Sequence, residues 1–200
     1  MLLFFLSQGY SRALLNKGSK IMKINSLQDY YMECLRDLYD AECQVEKVLP
    51  QFVEAANNEE LQAALSDHVE EVKEQVSRLE TLFKGINERP KGKKCEGMKG
   101  ILAECGECLG HEIESEVLDA CIIGCIQKIL HYQIATYGCA CAYAKVLERE
   151  EEIDPVEQSL DEKKEMDTRL TELSETVNSE AASTGEEMEE EEESKPKKSH

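Results

Sequence analysis

Between Ser26 and Val177, apolar residues recur at steps of three, four and seven, and no segment alternates convincingly with period two. Those steps line one face of a 3.6-residue helix, so the pattern predicts an all-α chain with no sheet. Ser26 followed three residues later by Asp29 reads as a capping box opening helix one, which runs to about Ala56. Its stripe is Tyr31, Leu35, Leu38, Val45 and Leu49, and Pro50 inside the pattern is expected to kink or split it. Asn57 and Asn58 make a turn and cap helix two, whose stripe is Leu61, Leu65, Val72, Val76, Leu79 and Phe83, with Gly85 as its stop. After a loop containing Pro90 and Gly92, a shorter helix covers Cys95 to Leu109. Helix four spans Ser115 to Glu148 along Ile123, Gln127, Leu130, Ile134, Tyr137 and Cys141. Asp154-Pro155 signals the start of a last helix, ending near Val177. Helices one and two, and helices four and five, then form two antiparallel hairpins of one bundle, with the Cys95–Leu109 helix as an accessory.

The ends of the chain lack such stripes. Residues 1–24 read as an over-extended or disordered leader. The opening MLLFFL is a six-residue apolar run with no basic residue before it, far too short to cross a bilayer, and Met22 opens a more natural start. Residues 179–200, with EEMEEEEE, read as an acidic disordered tail. The bundle domain is therefore residues 25–178, a size that buries a core without staples.

Charge narrows the partners. With 42 acidic against 23 basic residues, the net charge is −19, which repels nucleic acid and suits cations. No membrane contact is expected. Nine cysteines, an odd number, read mainly as reduced, buried small residues in a cytoplasmic protein.

Polar residues interrupt the stripes at telling places. Glu42 falls between Leu38 and Val45, and His68 between Leu65 and Val72. A carboxylate and an imidazole aimed into a core are costly unless paired or metal-bound. Glu71, one turn after His68, completes a His-x-x-Glu pair, and di-iron bundles are built from such pieces. The alternative is that Glu42 and His68 bond to each other and to water.

Five ordered segments sharpen the picture: DLYDAE (Asp37–Glu42), HVEEVKEQVSRLE (His68–Glu80), RPKGKKCEGM (Arg89–Met98), HYQIATYG (His131–Gly138) and LDEKKEMD (Leu160–Asp167). Together they resemble the YciE/YciF family of bacterial stress-associated ferritin-like proteins, over roughly residues 25–178. The resemblance implies a ferritin-like antiparallel four-helix bundle, often a homodimer, with a carboxylate/histidine centre for iron. It implies Glu42, His68, Glu71, His131 and Glu162 as metal ligands. One departure matters: where the family pattern resembles Glu-His-Tyr-Glu, this chain has Leu130, His131, Tyr132 and Gln133. One expected carboxylate is a hydrophobe, so the centre is partly degenerate, and iron is expected there as one or two ions or with the site vacant. The rival function is a non-enzymatic helical scaffold that has lost metal chemistry.

A second rival lies in the thiols. Cys105, Cys108 and His111 form C-x-x-C-x-x-H, and Cys121 and Cys125 follow one helical turn apart, a half-site pattern familiar for zinc or redox work. Cys139 and Cys141 cannot share a helix face, which argues against one large cluster. No serine triad, phosphate-cradling glycine loop or zinc-protease motif is present in the sequence.

Overall fold

The computed structural model describes residues 24–91 and 93–194, with side-chain surroundings up to residue 184. The leader expected at residues 1–24 lies, save for Ile24, outside the described residues. Five helices follow in order: α1 (Leu27–Ala55), α2 (Glu59–Gly85), α3 (Glu96–Gly110), α4 (Ser115–Val146) and α5 (Glu150–Ser194). No strand occurs among the described residues.

Local chemistry sets most boundaries. The Ser26 hydroxyl accepts from the Asp29 N–H while the Asp29 carboxylate accepts from the Ser26 N–H, closing the expected capping box. Asn58 caps α2 by accepting from the N–H groups of Glu60 and Leu61. Gly85 stops α2 as expected. It is the last residue of α2, and Asn87 turns the chain in the left-handed region at φ 56° while Glu88 N–H bonds back to Phe83. Glu148 does the same after α4 at φ 55°, with Arg149 N–H reaching Ala144. That turn feeds the chain straight into α5, so the helix starts at Glu150 rather than at Asp154-Pro155. Pro155 falls in the second turn, where it removes one donor. Pro50 likewise lies inside α1, which continues through it to Ala55.

α1 and α2 pack as one antiparallel hairpin, α4 and α5 as the other, and α2 on α5 and α1 on α4 close the ring. α3 lies across α4 and α1 as the accessory element. The Asp119 carboxylate on α4 accepts from the backbone N–H groups of Asn57 and Asn58, both at 2.8 Å, and so clamps the α1–α2 turn to the second hairpin. An 18-residue window of α4 is apolar enough by composition to cross a membrane, but α4 here is the central helix, touching α1, α3 and α5.

The stripes hold with informative shifts. Leu38, Leu65, Val72, Leu130 and Tyr137 are fully buried, whereas Val76, Gln127 and Ile134 are only half-buried. Their places deeper in the core are taken by Gln75 and Gln133, both fully buried. α5 passes its expected end near Val177 and stays helical to Ser194, through the segment expected to be disordered. Val177 is its last buried residue before residue 184, so over residues 178–184 the extension follows local helix propensity rather than tertiary packing.

Candidate functional site

Two apolar clusters fill the bundle, one around Phe52, Leu65 and Ile126, the other around Tyr31, Phe83 and Tyr137. Between them lies a layer of buried polar groups. Glu42 enters from α1 and Lys163 from α5. Their side chains are fully buried, with Lys163 Nζ 3.1 Å from Glu42 Oε2. The electrostatic surroundings of the Lys163 ammonium also include Glu71 and Glu162. Burial pulls the Lys163 pKa below that of an ordinary lysine, and the carboxylates, Glu42 foremost, oppose that pull.

α2 supplies the flank. His68 is buried, and its Nδ1 lies 2.9 Å from Glu71 Oε2, whose side chain reaches the surface. Burial lowers the His68 pKa to about 4, with Glu71 partly compensating, so the ring is neutral at physiological pH. Arg78 grips both oxygens of Glu162 at 2.9 Å, and Gln75 donates to Oε2 of the same carboxylate at 2.8 Å. Burial alone would raise Glu162, but Arg78 and Gln75 outweigh it and hold its pKa below the usual carboxylate value. The Tyr137 hydroxyl, from α4, faces Ser159 and Glu42 without a well-formed hydrogen bond to either.

The structure thus gathers four of the five expected ligands, Glu42, His68, Glu71 and Glu162, around one layer, and leaves out the fifth. His131 is largely exposed and pairs with Asp167 on the bundle's outside, Nε2 to Oδ1 3.2 Å. The reason is angular: Leu130 points into the core, and the next residue on a helix is turned about 100° away. Lys163, Gln75 and Arg78 of this layer went unread in the sequence, and Gln133 was read only as the residue in place of a family glutamate. Lys163 lies on α5's inward line with Val156, Ser159, Met166 and Leu170, at helical spacing, and Gln133 lies on α4's with Leu130 and Tyr137. The stripe test that singled out Glu42 and His68 also singles out these.

The donor set does not fit a pair of metal ions. Glu162 is taken by Arg78 and Gln75, and one Glu42 oxygen is taken by Lys163. Within this layer, the unpartnered buried atoms are Glu42 Oε1, His68 Nε2, Gln75 Oε1, the Gln133 amide and the Tyr137 hydroxyl. They carry a single free carboxylate oxygen, beside two cations the chain itself supplies.

The cysteines form a separate group where α3 crosses α4. Cys108 and Cys121 are joined as a disulfide with Cα atoms 6.7 Å apart, an exception to the expectation of mainly reduced thiols. The antiparallel crossing of the two helices brings them together. Cys105 and Cys125 sit beside them as free buried thiols, each sulfur against the other residue's carbonyl at 3.7 and 4.0 Å. The two thiols titrate against each other: the contact between them pulls the Cys125 thiol down and, with burial, pushes the Cys105 thiol up. Cys95 plays a different part. Its sulfur caps α3 and meets Asp37 and Tyr132 from α1 and α4, seating the RPKGKKCEGM segment on the bundle.

Fold and polar layer together define a ferritin-like antiparallel four-helix bundle with an accessory helix and an ionic centre. The chain belongs to the family described as Domain of unknown function (DUF892), which it matches over residues 26–183. Protein YciF of Escherichia coli (strain K12) is 32% identical over 153 residues, 76% of this chain and 92% of that protein. The crystal structure of the E. coli stress protein YciF superposes with a TM-score of 0.75 at 30% identity, covering 78% of this chain and 99% of that one. YcfI from Rhodopseudomonas palustris, for which a structural role has been suggested, gives 0.73 at 34% identity, covering 76% and 97%. A Xanthomonas campestris protein at 17% identity, TM-score 0.65, covering 80% and 99%, shares the fold.

Proposed function

We propose that this protein is a stress-associated structural bundle whose centre is neutralised by its own Lys163 and Arg78 in place of metal ions. The observation that carries the reading is the fully buried Glu42–Lys163 pair, set among carboxylates expected to be ligands. A tethered ammonium meets the need that a metal meets elsewhere: it offsets acidic groups in a low-dielectric interior. It supplies no Lewis acidity or redox chemistry, which supports a scaffold over an enzyme. The relatives agree in kind, one being called a stress protein and the other having a suggested structural role. From the family resemblance we also infer a homodimer in the cytoplasm. Light scattering at micromolar concentration tests the dimer, and a monomer mass would overturn it.

A second reading, a single weakly held iron, is favoured by the unpartnered Glu42 Oε1 and His68 Nε2. Titration with ferrous iron under nitrogen separates the two. The scaffold reading expects no saturable uptake that Glu42→Gln abolishes. One ion per chain, lost in that variant, would replace it, and two tightly held ions would overturn both.

A further inference from the structure

Away from the charged centre, α3 and α4 face each other with four sulfurs. Spacings of three on α3 and four on α4 put Cys105 with Cys108, and Cys121 with Cys125, on one face of each helix. The crossing then sets Cys105 opposite Cys125 and Cys108 opposite Cys121. We propose that, when reduced, this cluster is a binding site for a soft divalent cation, zinc, held by Cys108, Cys121 and Cys125, with Cys105 as the fourth thiolate.

The sulfurs of Cys108, Cys121 and Cys125 all lie within 4.8 Å of one another, the one set of three potential ligands that converges so among the described residues. Reduction lets the bonded Cys108 and Cys121 sulfurs part, and zinc–sulfur bonds of about 2.3 Å in a tetrahedral set then hold neighbouring sulfurs roughly 3.8 Å apart, inside the 4.8 Å over which the three converge. Cys105, already against Cys125, completes a tetrahedral set. An all-sulfur set selects zinc over hard cations such as magnesium or calcium. His111 caps the end of α3, exposed and outside the converging group. Cys121 is half-buried and gives the ion an entry from solvent, while the other three are buried.

The disulfide and the ion exclude each other, because the Cys108–Cys121 bond uses two of the ligands. An external dithiol opens it by exchange: two electrons and two protons pass to the cysteine pair, and the dithiol leaves as its own disulfide. Zinc then displaces the thiol protons into solvent as it binds the thiolates. The site shares no residue with the Glu42–Lys163 layer, so it stands or falls independently of the reading above.

The test uses the full chain, reduced and kept under nitrogen, loaded with zinc, desalted and assayed for metal, with cobalt(II) as a spectroscopic probe. The expected result is one zinc per chain and a cobalt spectrum with thiolate charge-transfer and tetrahedral visible bands. Cys108→Ser and Cys121→Ser should each weaken zinc by roughly 100-fold or more, with Cys139→Ser, on the exposed surface, as an unchanged control. Helicity is checked by circular dichroism for each variant. As a measurement needing no substitution, zinc should shield the four cluster cysteines from alkylation in the native sequence. Failure of the reduced native protein to retain zinc would overturn the proposal. So would a cobalt spectrum without thiolate bands, or equal binding by the serine variants.

Discussion

Replacing Lys163 by methionine tests the ionic centre most directly. Methionine keeps most of the aliphatic stem and removes the ammonium, so packing changes little while Glu42 loses its only hydrogen-bonded partner. Glu42 is fully buried, and breaking a buried pair from one side costs about 3–5 kcal/mol, because the remaining charge has neither water nor a counter-ion. The double variant Glu42→Leu/Lys163→Met removes both charges and should return to within about 1 kcal/mol of the native protein, or exceed it. The two substitutions should therefore couple by several kcal/mol, well outside the additivity of independent sites. Urea unfolding followed by far-UV circular dichroism gives the values, with an unchanged slope as the sign that the native fold persists. A Lys163→Met cost below about 1 kcal/mol would refute the reasoning, as would a double variant that simply sums the single losses.

Acid should weaken the bundle through His68, whose pKa falls from an ordinary 6.5 to about 4 on folding. Below pH 6.5 the unfolded chain takes up a proton that the native state refuses, so stability declines down to about pH 4 by about 3 kcal/mol; in His68→Gln, urea midpoints across that window should lose this component. Asp119→Ala should cost about 2–3 kcal/mol by leaving the Asn57 and Asn58 amides without their charged acceptor, read as a drop in melting temperature. Gly97→Ala should cost about 1–2 kcal/mol, since the new Cβ would stand 2.9 Å from the Tyr132 ring, which hydrogen bonds to Asp37 and Cys95 hold in place. Adding Tyr132→Ala should cancel that increment, and a full Gly97 penalty in the Tyr132→Ala background would disprove the clash.

The helices and their caps were legible because they rest on local chemistry: Ser26, Asn58 and the three-and-four spacing each act within one turn. Glu42 and His68 were legible because a charge on an apolar line stands out. Lys163 was not, since lysine ordinarily snorkels to the surface and LDEKKEMD was read for its Glu162, although α5's inward line through Val156 and Met166 passes through Lys163. His131 misled in the opposite way, through likeness to a family segment, although a buried Leu130 already turns its neighbour outward. The early start of α5 depends on Glu148 adopting a left-handed backbone, a choice that no residue preference there announces. The meeting of Cys108 with Cys121 depends on how α3 crosses α4, which periodicity along either helix leaves open.

The Glu42–Lys163 pair also changes what the bundle depends on. A protein centred on bound metal gains stability that rises with the logarithm of free metal, and loses it when the ion is withheld. A lysine on the same chain is present at an effective concentration that no chelator or scavenging partner can lower. On the function proposed above, the fold keeps its centre whether iron is scarce or abundant. A protein built this way holds its shape while the metal supply around it swings.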